Sequence, residues 1–218
     1  MIWPALKLSL YVATSATVVV ACCGCLAGWL LARHRFAGRE LLDALLNLPL
    51  VLPPTVTGYY LIVVLGRRGV VGGPLWETMG WSIPFTWIAC AIAAGIMAFP
   101  LMARASRVAF EEIDRRHELV ASTLGHSPLS IFFRVTLPLA RRGLVAGVVL
   151  AFARALGEFG ATLMLAGNIP GRTQTVPLAI YEAVMAGEDR AALMLSLLLT
   201  GVSVAVILVA GRMGRGRG

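Results

Sequence analysis

The chain has 218 residues, 58% hydrophobic and only 14% charged, with a formal charge of +8 and a mean hydropathy of +0.82. Soluble domains carry about 45–50% apolar and about 25% charged residues, so a soluble fold is excluded and the excess apolar surface must face lipid. In such a chain the basic excess reads as membrane topology rather than as a nucleic-acid footprint.

A bilayer core of about 30 Å takes roughly 20 apolar residues in a helix. Five stretches meet that length: 8–31, 48–65, 85–103, 144–166 and 191–210. They are continuous runs without strand-like alternation, and backbone groups in hydrocarbon must be satisfied within the segment, so all five are predicted helices. In the first, Val19-Val20-Ala21-Cys22 loosely matches a lipoprotein cleavage site. Lys7 is the one basic residue ahead of it and the apolar run continues to Leu31, so a retained span is expected. Cys22, Cys23 and Cys25 crowd inside that run and Cys90 stands alone in another, which suits small packing residues and not a metal site.

The second stretch contains Pro53-Pro54. A helix-interior proline removes a hydrogen bond and clashes with the preceding turn, which predicts a kink or unwinding near Thr55 and Thr57. Their hydroxyls either line a water-filled path or re-satisfy the backbone locally.

After the third stretch comes a long segment, 106–143, with Glu111, Glu112, Asp114, Arg115, Arg116 and Glu118 at its front. Leu124-Gly125-His126-Ser127-Pro128 ends a helix there, and a second helical piece over 129–135 is expected to stop at Pro138. Leu119, Leu124, Leu129 and Phe132 offer an apolar face, with Glu118 and Arg116 at its rim. Such a helix–turn–helix lays its apolar face into a groove on a soluble motor, or else rests on the lipid surface. Gly125 supplies the sharp turn.

The fourth stretch carries Arg154 and Glu158, four apart and able to pair on one helix face. A charge at the bilayer centre costs at least ~2.5–3.5 kcal/mol, so the pair either lines a path or gate or fixes helix packing. Gly157 and Gly160 permit close approach of another helix. Between the last two stretches, 168–189 opens with a turn at Pro170-Gly171. There Leu178, Tyr181, Val184 and Met185 fall at the spacing of a short interfacial helix.

Thirteen of the 19 Lys and Arg fall on one side: Arg33, Arg35 and Arg39; Arg104, Arg107, Arg115, Arg116, Arg134, Arg141 and Arg142; Arg212, Arg215 and Arg217. The other side holds Lys7, Arg67, Arg68, Arg172 and Arg190. The rich side is expected in the cytoplasm, which puts the N-terminus outside and a 213–218 tail inside. One transmembrane domain, 6–212, is expected. No ring of Lys or Arg marks a strong anion site. His34, His117 and His126 lack metal-ligand spacing. With no G-x-x-x-x-G-K-[ST] loop and no nucleophile–base pair, the chain is expected to be no enzyme, to use no cofactor and to leave ATP hydrolysis to a separate polypeptide.

Residues 118–140, ELVASTLGHSPLSIFFRVTLPLA, resemble the signature loop of bacterial ABC importer permeases: Glu-Ala-Ala, then Gly, then Ile-x-Leu-Pro after nine residues. Here Ala121, Gly125, Val135, Leu137 and Pro138 keep the spacing; Val135 replaces Ile, and Glu118 stands one place early. The strings RALGEFGAT from Arg154, LMLAGNIPGRTQTVPLAIY from Leu163 and NLPLVLPPTVTGYY from Asn47 resemble the molybdate permease subfamily and, less closely, the sulfate one. The resemblance implies a type I permease bundle of five transmembrane helices with a cytoplasmic coupling helix, in a multi-pass inner-membrane protein. It also implies a permease homodimer, cytoplasmic ABC ATPase subunits and a periplasmic oxyanion-binding protein. ATPase coupling then falls to Glu118, Ala121, Gly125, Val135, Leu137 and Pro138. The implied cargo is molybdate or tungstate, with sulfate or thiosulfate as the alternative. A secondary transporter would show paired halves, and a membrane adaptor would carry no flux.

Overall fold

The first apolar stretch is one long helix, α1 (Ile2–Arg33), in this computed structural model, which describes residues 2–214 with side chains through Val209. Its buried residues, including Ala5, Ser9, Val12, Ala16, Val20, Gly24 and Gly28, recur every three or four positions and form a stripe of small side chains. Val18, Val19 and Leu26 point the other way and are exposed, as a lipid-facing surface requires.

The second stretch is broken. α2 (Arg39–Val51) and α3 (Pro54–Leu65) meet at a bend of 114°. Leu52 and Pro53 are extended (ψ 141° and 136°), because a residue before proline is pushed out of the helical region, and Pro54 then serves as the first residue of α3. The expected disruption is therefore present but sits just before Thr55 and Thr57, which lie in the first turn of α3. At 1.5 Å per residue α3 is roughly 18 Å long, too short to cross alone. α4 (Gly72–Met79) is a short helix in the following loop.

α5 (Trp87–Glu111) starts with Thr86, whose hydroxyl accepts the N–H of Ala89 at 3.2 Å. It packs against the small stripe of α1. A Cβ on Gly24 would stand 2.8 Å from Met102 Cγ, and one on Gly28 2.5 Å from Ser106 Cβ, so these glycines set the interhelical distance. At the far end Arg107 Nη1 pairs with Asp43 Oδ2 at 2.7 Å, fastening α2 to α5, while Arg107 Nε pairs with Glu111 Oε1 of its own helix at 2.9 Å.

The connecting segment is shorter than 106–143, since α5 runs through residue 111. It contains α6 (Arg116–Thr123) and α7 (Pro128–Ile131). Pro138 does not stop the second piece. A π turn over Phe132–Thr136 continues directly into α8 (Leu137–Leu156), with Leu137 N–H bonding Phe132 O, five residues back. The missing proline N–H falls where five-back bonding gives way to four-back bonding, so the helix passes through. The membrane-length helix is thus 128–156 rather than 144–166. The remainder of that stretch breaks at 157–159 and resumes as α9 (Gly160–Ala166).

α10 (Val176–Met185) is the expected short helix after the loop at 170–171, with Leu178 fully buried and Met185 exposed. The Val176 N–H donates to Ser9 Oγ at 2.7 Å, which ties α10 to α1. α11 (Asp189–Gly214) closes the bundle; beyond residue 214 the 213–218 tail lies outside the described residues. Among the described residues, four helices are long and apolar enough to cross a membrane, or five with α2–α3 as one bent span.

Candidate functional site

Two places gather the residues singled out by sequence. The first is the turn between α6 and α7. Gly125 has φ +82°, its N–H bonds Ser122 O at 3.0 Å, and the His126 N–H bonds Ala121 O at 3.3 Å. These paired bonds close a helix on a left-handed residue, a conformation that glycine adopts without a Cβ penalty. Ser127 Oγ then accepts the Ser130 N–H at 3.3 Å and starts α7 at Pro128. Ala121 is the one buried residue of α6.

Leu119, Leu124 and Leu129 project from this turn, 62%, 74% and 68% exposed. Phe132 does not join them. It turns inward, its ring 5.5 Å from Trp29 and 6.3 Å from Phe110, and Phe133 takes the exposed position instead. Glu118 also departs from the rim. Its carboxylate lies 3.0 Å from Arg33 Nη2 and accepts the Thr136 hydroxyl at 2.7 Å, so it joins the end of α1, the front of α6 and the π turn. A cleft of about 490 Å³ opens beside this junction, bordered by Trp29, Arg33, Glu118 and Phe132. Val135 and Leu137 are half-buried where the π turn becomes α8, and Pro138 is exposed. Neither Arg33 nor Thr136 was marked by sequence, because Arg33 counted only toward topology and Thr136 fell at the variable position of the signature.

The second place is where the two helix breaks meet. A Cβ on Gly160 would stand 2.9 Å from Pro54 Cβ and 3.4 Å from Thr55 N; one on Gly58 would stand 2.7 Å from Met164 Cβ. The start of α3 therefore lies directly against α9. Arg154 and Glu158 meet at 2.7 Å, though not as neighbours on one helix, since α8 ends at Leu156. Glu158 Oε1 accepts the Ala161 N–H at 2.8 Å, so the carboxylate caps α9 while Arg154 neutralises it. The Glu158 side chain is 2% exposed and that of Arg154 27%. Thr55 is exposed, whereas Thr57 is buried with its hydroxyl unpartnered. Broken helices at membrane depth are tolerated where they are buried in protein or line a cavity. No group of three or more His, Cys, Asp or Glu suited to a metal occurs among the described residues.

The chain is similar from end to end to known permeases. It is 44% identical over 219 residues to the molybdenum transport system permease protein ModB of Escherichia coli (strain K12), covering 99% of this chain and 96% of the relative. It is 46% identical over 180 residues to ModB of Haemophilus influenzae, covering 83% and 79%. It is 36% identical over 205 residues to the sulfate transport system permease protein CysW of Synechococcus elongatus, covering 94% and 71%. The fold matches a bacterial ABC transporter involved in import of the acidic polysaccharide alginate, with a TM-score of 0.77, 15% identity and coverage of 97% and 78%. It also matches the MetNI methionine ABC transporter in an inward-facing conformation, with a TM-score of 0.70, 18% identity and coverage of 98% and 93%. The profile of binding-protein-dependent transport system inner membrane components fits residues 24–216, and the chain belongs to that family.

Proposed function

We propose that the chain is the permease subunit of an ATP-driven importer that moves molybdate, and with it tungstate, across the inner membrane. The observation that carries this is the 44% identity to a molybdenum permease over 99% of the chain. Sulfate is the second reading, favoured by the 36% identity to a sulfate permease. Membership of the binding-protein-dependent family makes ATP hydrolysis the work of an ABC ATPase partner and cargo delivery the work of a binding protein.

In this reading two copies of the chain enclose a central path, with the N-terminus periplasmic and the α6–α7 turn cytoplasmic, as the 13-to-5 division of basic residues supports. Leu119, Leu124 and Leu129 dock into the ATPase. Glu118, held by Arg33 and Thr136, passes its motion to α1 and α8, while Ala121, Gly125, Val135, Leu137 and Pro138 shape the turn and its junction with α8. The paired breaks at 52–53 and 157–159 form the gate, with Thr55 and Thr57 beside the path. The single domain spans 6–212. A ligand shifts the inward–outward equilibrium only by its differential affinity for the two states, so a gate that holds the anion loosely in both suits release.

The test is reconstitution of the permease with its ATPase and binding protein in liposomes. ATP-dependent molybdate uptake should persist after ion gradients are collapsed, and tungstate should compete better than sulfate. Uptake that stops with the gradient points to a secondary transporter, and no oxyanion flux with every partner present leaves only an adaptor.

A further inference from the structure

Positive charge is scarce at the end of the bundle opposite the α6–α7 turn. Its five basic residues are Lys7, Arg67, Arg68, Arg172 and Arg190. Three of them nevertheless converge. Arg67, Arg68 and Arg172 line one cleft of about 940 Å³, together with Trp76, Trp81 and Phe85. The arginines come from two loops more than a hundred residues apart in sequence, so the convergence is a product of the fold.

The cleft is built on a braced frame. Gly66 N–H bonds Ile62 O at 2.8 Å and Val71 N–H bonds Val64 O at 3.0 Å, which folds the chain carrying Arg67 and Arg68 back on the end of α3. In the second loop Ile169 O accepts the N–H groups of Arg172, Thr173 and Gln174 at 3.0, 2.9 and 3.1 Å, and Thr173 is fully buried. The Phe85 N–H bonds Leu165 O at 3.3 Å and ties the segment between α4 and α5 to α9, just ahead of the second loop, with Phe85 held at φ 62°. A bulky residue at positive φ is uncommon and persists only where its surroundings hold it.

None of the three arginines forms an ion pair among the described residues; the ion pairs lie at the other end of the bundle, at Asp114–Arg116 and at Arg154–Glu158. The guanidinium carbon of Arg67 sits 4.1 Å from the centroid of the Trp76 ring. A guanidinium in contact with an aromatic face keeps its in-plane N–H fork available, and that fork matches a tetrahedral oxyanion bidentately. The three cations are exposed at the mouth of the cleft and share one sign, which raises the local concentration of dianions there.

We infer that the Arg67, Arg68 and Arg172 cleft is an oxyanion-binding site, in which a tetrahedral dianion is held between delivery and passage through the gate. This rests on the reading of the chain as an oxyanion permease and adds a residence point to it. Phosphate headgroups of anionic lipids share the same chemistry, and tryptophans beside arginines also suit a membrane interface.

The test uses the permease–ATPase complex in nanodiscs of phosphatidylcholine alone, with tungstate as probe and tungsten measured by mass spectrometry after equilibrium dialysis. Native complex is compared with the Arg67→Gln/Arg172→Gln variant and with Arg190→Gln as a control outside the cleft; anion sites on the ATPase are common to all three. Charge-assisted bonds of this kind predict an affinity loss of about tenfold or more in the double variant and none in the control. In liposomes with loaded binding protein, molybdate uptake by the double variant should fall several-fold while stimulated ATP hydrolysis is retained. Equal tungsten retention by native complex and double variant overturns the inference. So does anionic lipid that co-purifies with the native complex and not with the variant while tungstate retention is equal, which makes this a headgroup site. Loss of ATPase stimulation with unchanged retention also overturns it, in favour of a contact for the binding protein. If the native complex imports no molybdate but retains tungstate through these arginines, the cleft stands and the transport reading falls.

Discussion

Glu118 Oε1 accepts a hydrogen bond from the Thr136 hydroxyl at 2.7 Å, across 18 residues and the whole α6–α7 turn. The same carboxylate pairs with Arg33 at 3.0 Å, and the Arg33 side chain is only 9% exposed. A carboxylate bonded to three elements couples their positions, which in the proposed reading makes it a link between docking and the bundle, whereas an exposed ion pair at a docking rim adds little. Glu118→Gln keeps the Thr136 bond and removes the ion pair. We expect the ATPase to remain attached while molybdate moved per ATP hydrolysed falls several-fold; an unchanged ratio refutes the linkage.

Gly125 is limited by conformation and not by space. Its φ is +82° and a Cβ there meets nothing within 4 Å. A left-handed conformation costs an ordinary residue about 1–2 kcal/mol, less for Asn. Gly125→Asn should therefore keep ATPase co-purification near native, and Gly125→Val should lose most of it. Equal behaviour of the two indicates that the turn does not set the docking geometry.

The exposed leucines and Phe132 should separate cleanly. Leu124→Asp alters a side chain 74% exposed, so the thermal midpoint of the solubilised permease should hold while ATPase co-purification drops. Phe132→Ala removes a ring packed near Trp29 and Phe110, and the midpoint should fall by several degrees. If Leu124→Asp lowers the midpoint and leaves docking intact, the assignment of the face is wrong.

Glu158 both caps α9 and neutralises Arg154. Glu158→Ala leaves a guanidinium and a helix N-terminus without their acceptor, a loss of about 3–5 kcal/mol by analogy with other broken buried pairs. Glu158→Gln can still accept the Ala161 N–H and should lose less. Thermal midpoints of the two variants in one detergent check the order; a reversed order removes the capping role.

Close packing of α3 on α9 makes a parallel prediction. A Cβ at Gly58 would lie 2.9 Å from Ala161 Cα, backbone that cannot swing aside, whereas one at Gly201 meets nothing within 4 Å. Gly58→Ala should destabilise by about 1–3 kcal/mol through overpacking and impair uptake. Gly201→Ala should leave both unchanged. Indifference at Gly58 means that the two breaks are free to separate.

Pro53-Pro54 announced a break because a missing N–H acts on its own chain, yet the 114° bend depends on how α2 and α3 each pack. Arg154 and Glu158 were legible as a pair by spacing, but the helix end between them was not, since the apolar residues on both sides add up to one span's length and Gly157 serves equally as a packing residue. Pro138 read as a stop because the compensating π turn leaves no compositional trace.

What the sequence determined by itself was membrane residence, the placement of most of the long helices, the division of charge and the turn at Gly125. These follow from summed hydropathy and from backbone restrictions that each residue carries locally. Only the tertiary structure decided that Glu118 turns inward to Arg33, that the breaks at 52–53 and 157–159 lie side by side, and that three scattered arginines share one cleft. Those relationships are distances between segments remote in the chain, set by where small residues such as Gly28, Gly58 and Gly160 let helices approach, and no periodicity encodes them.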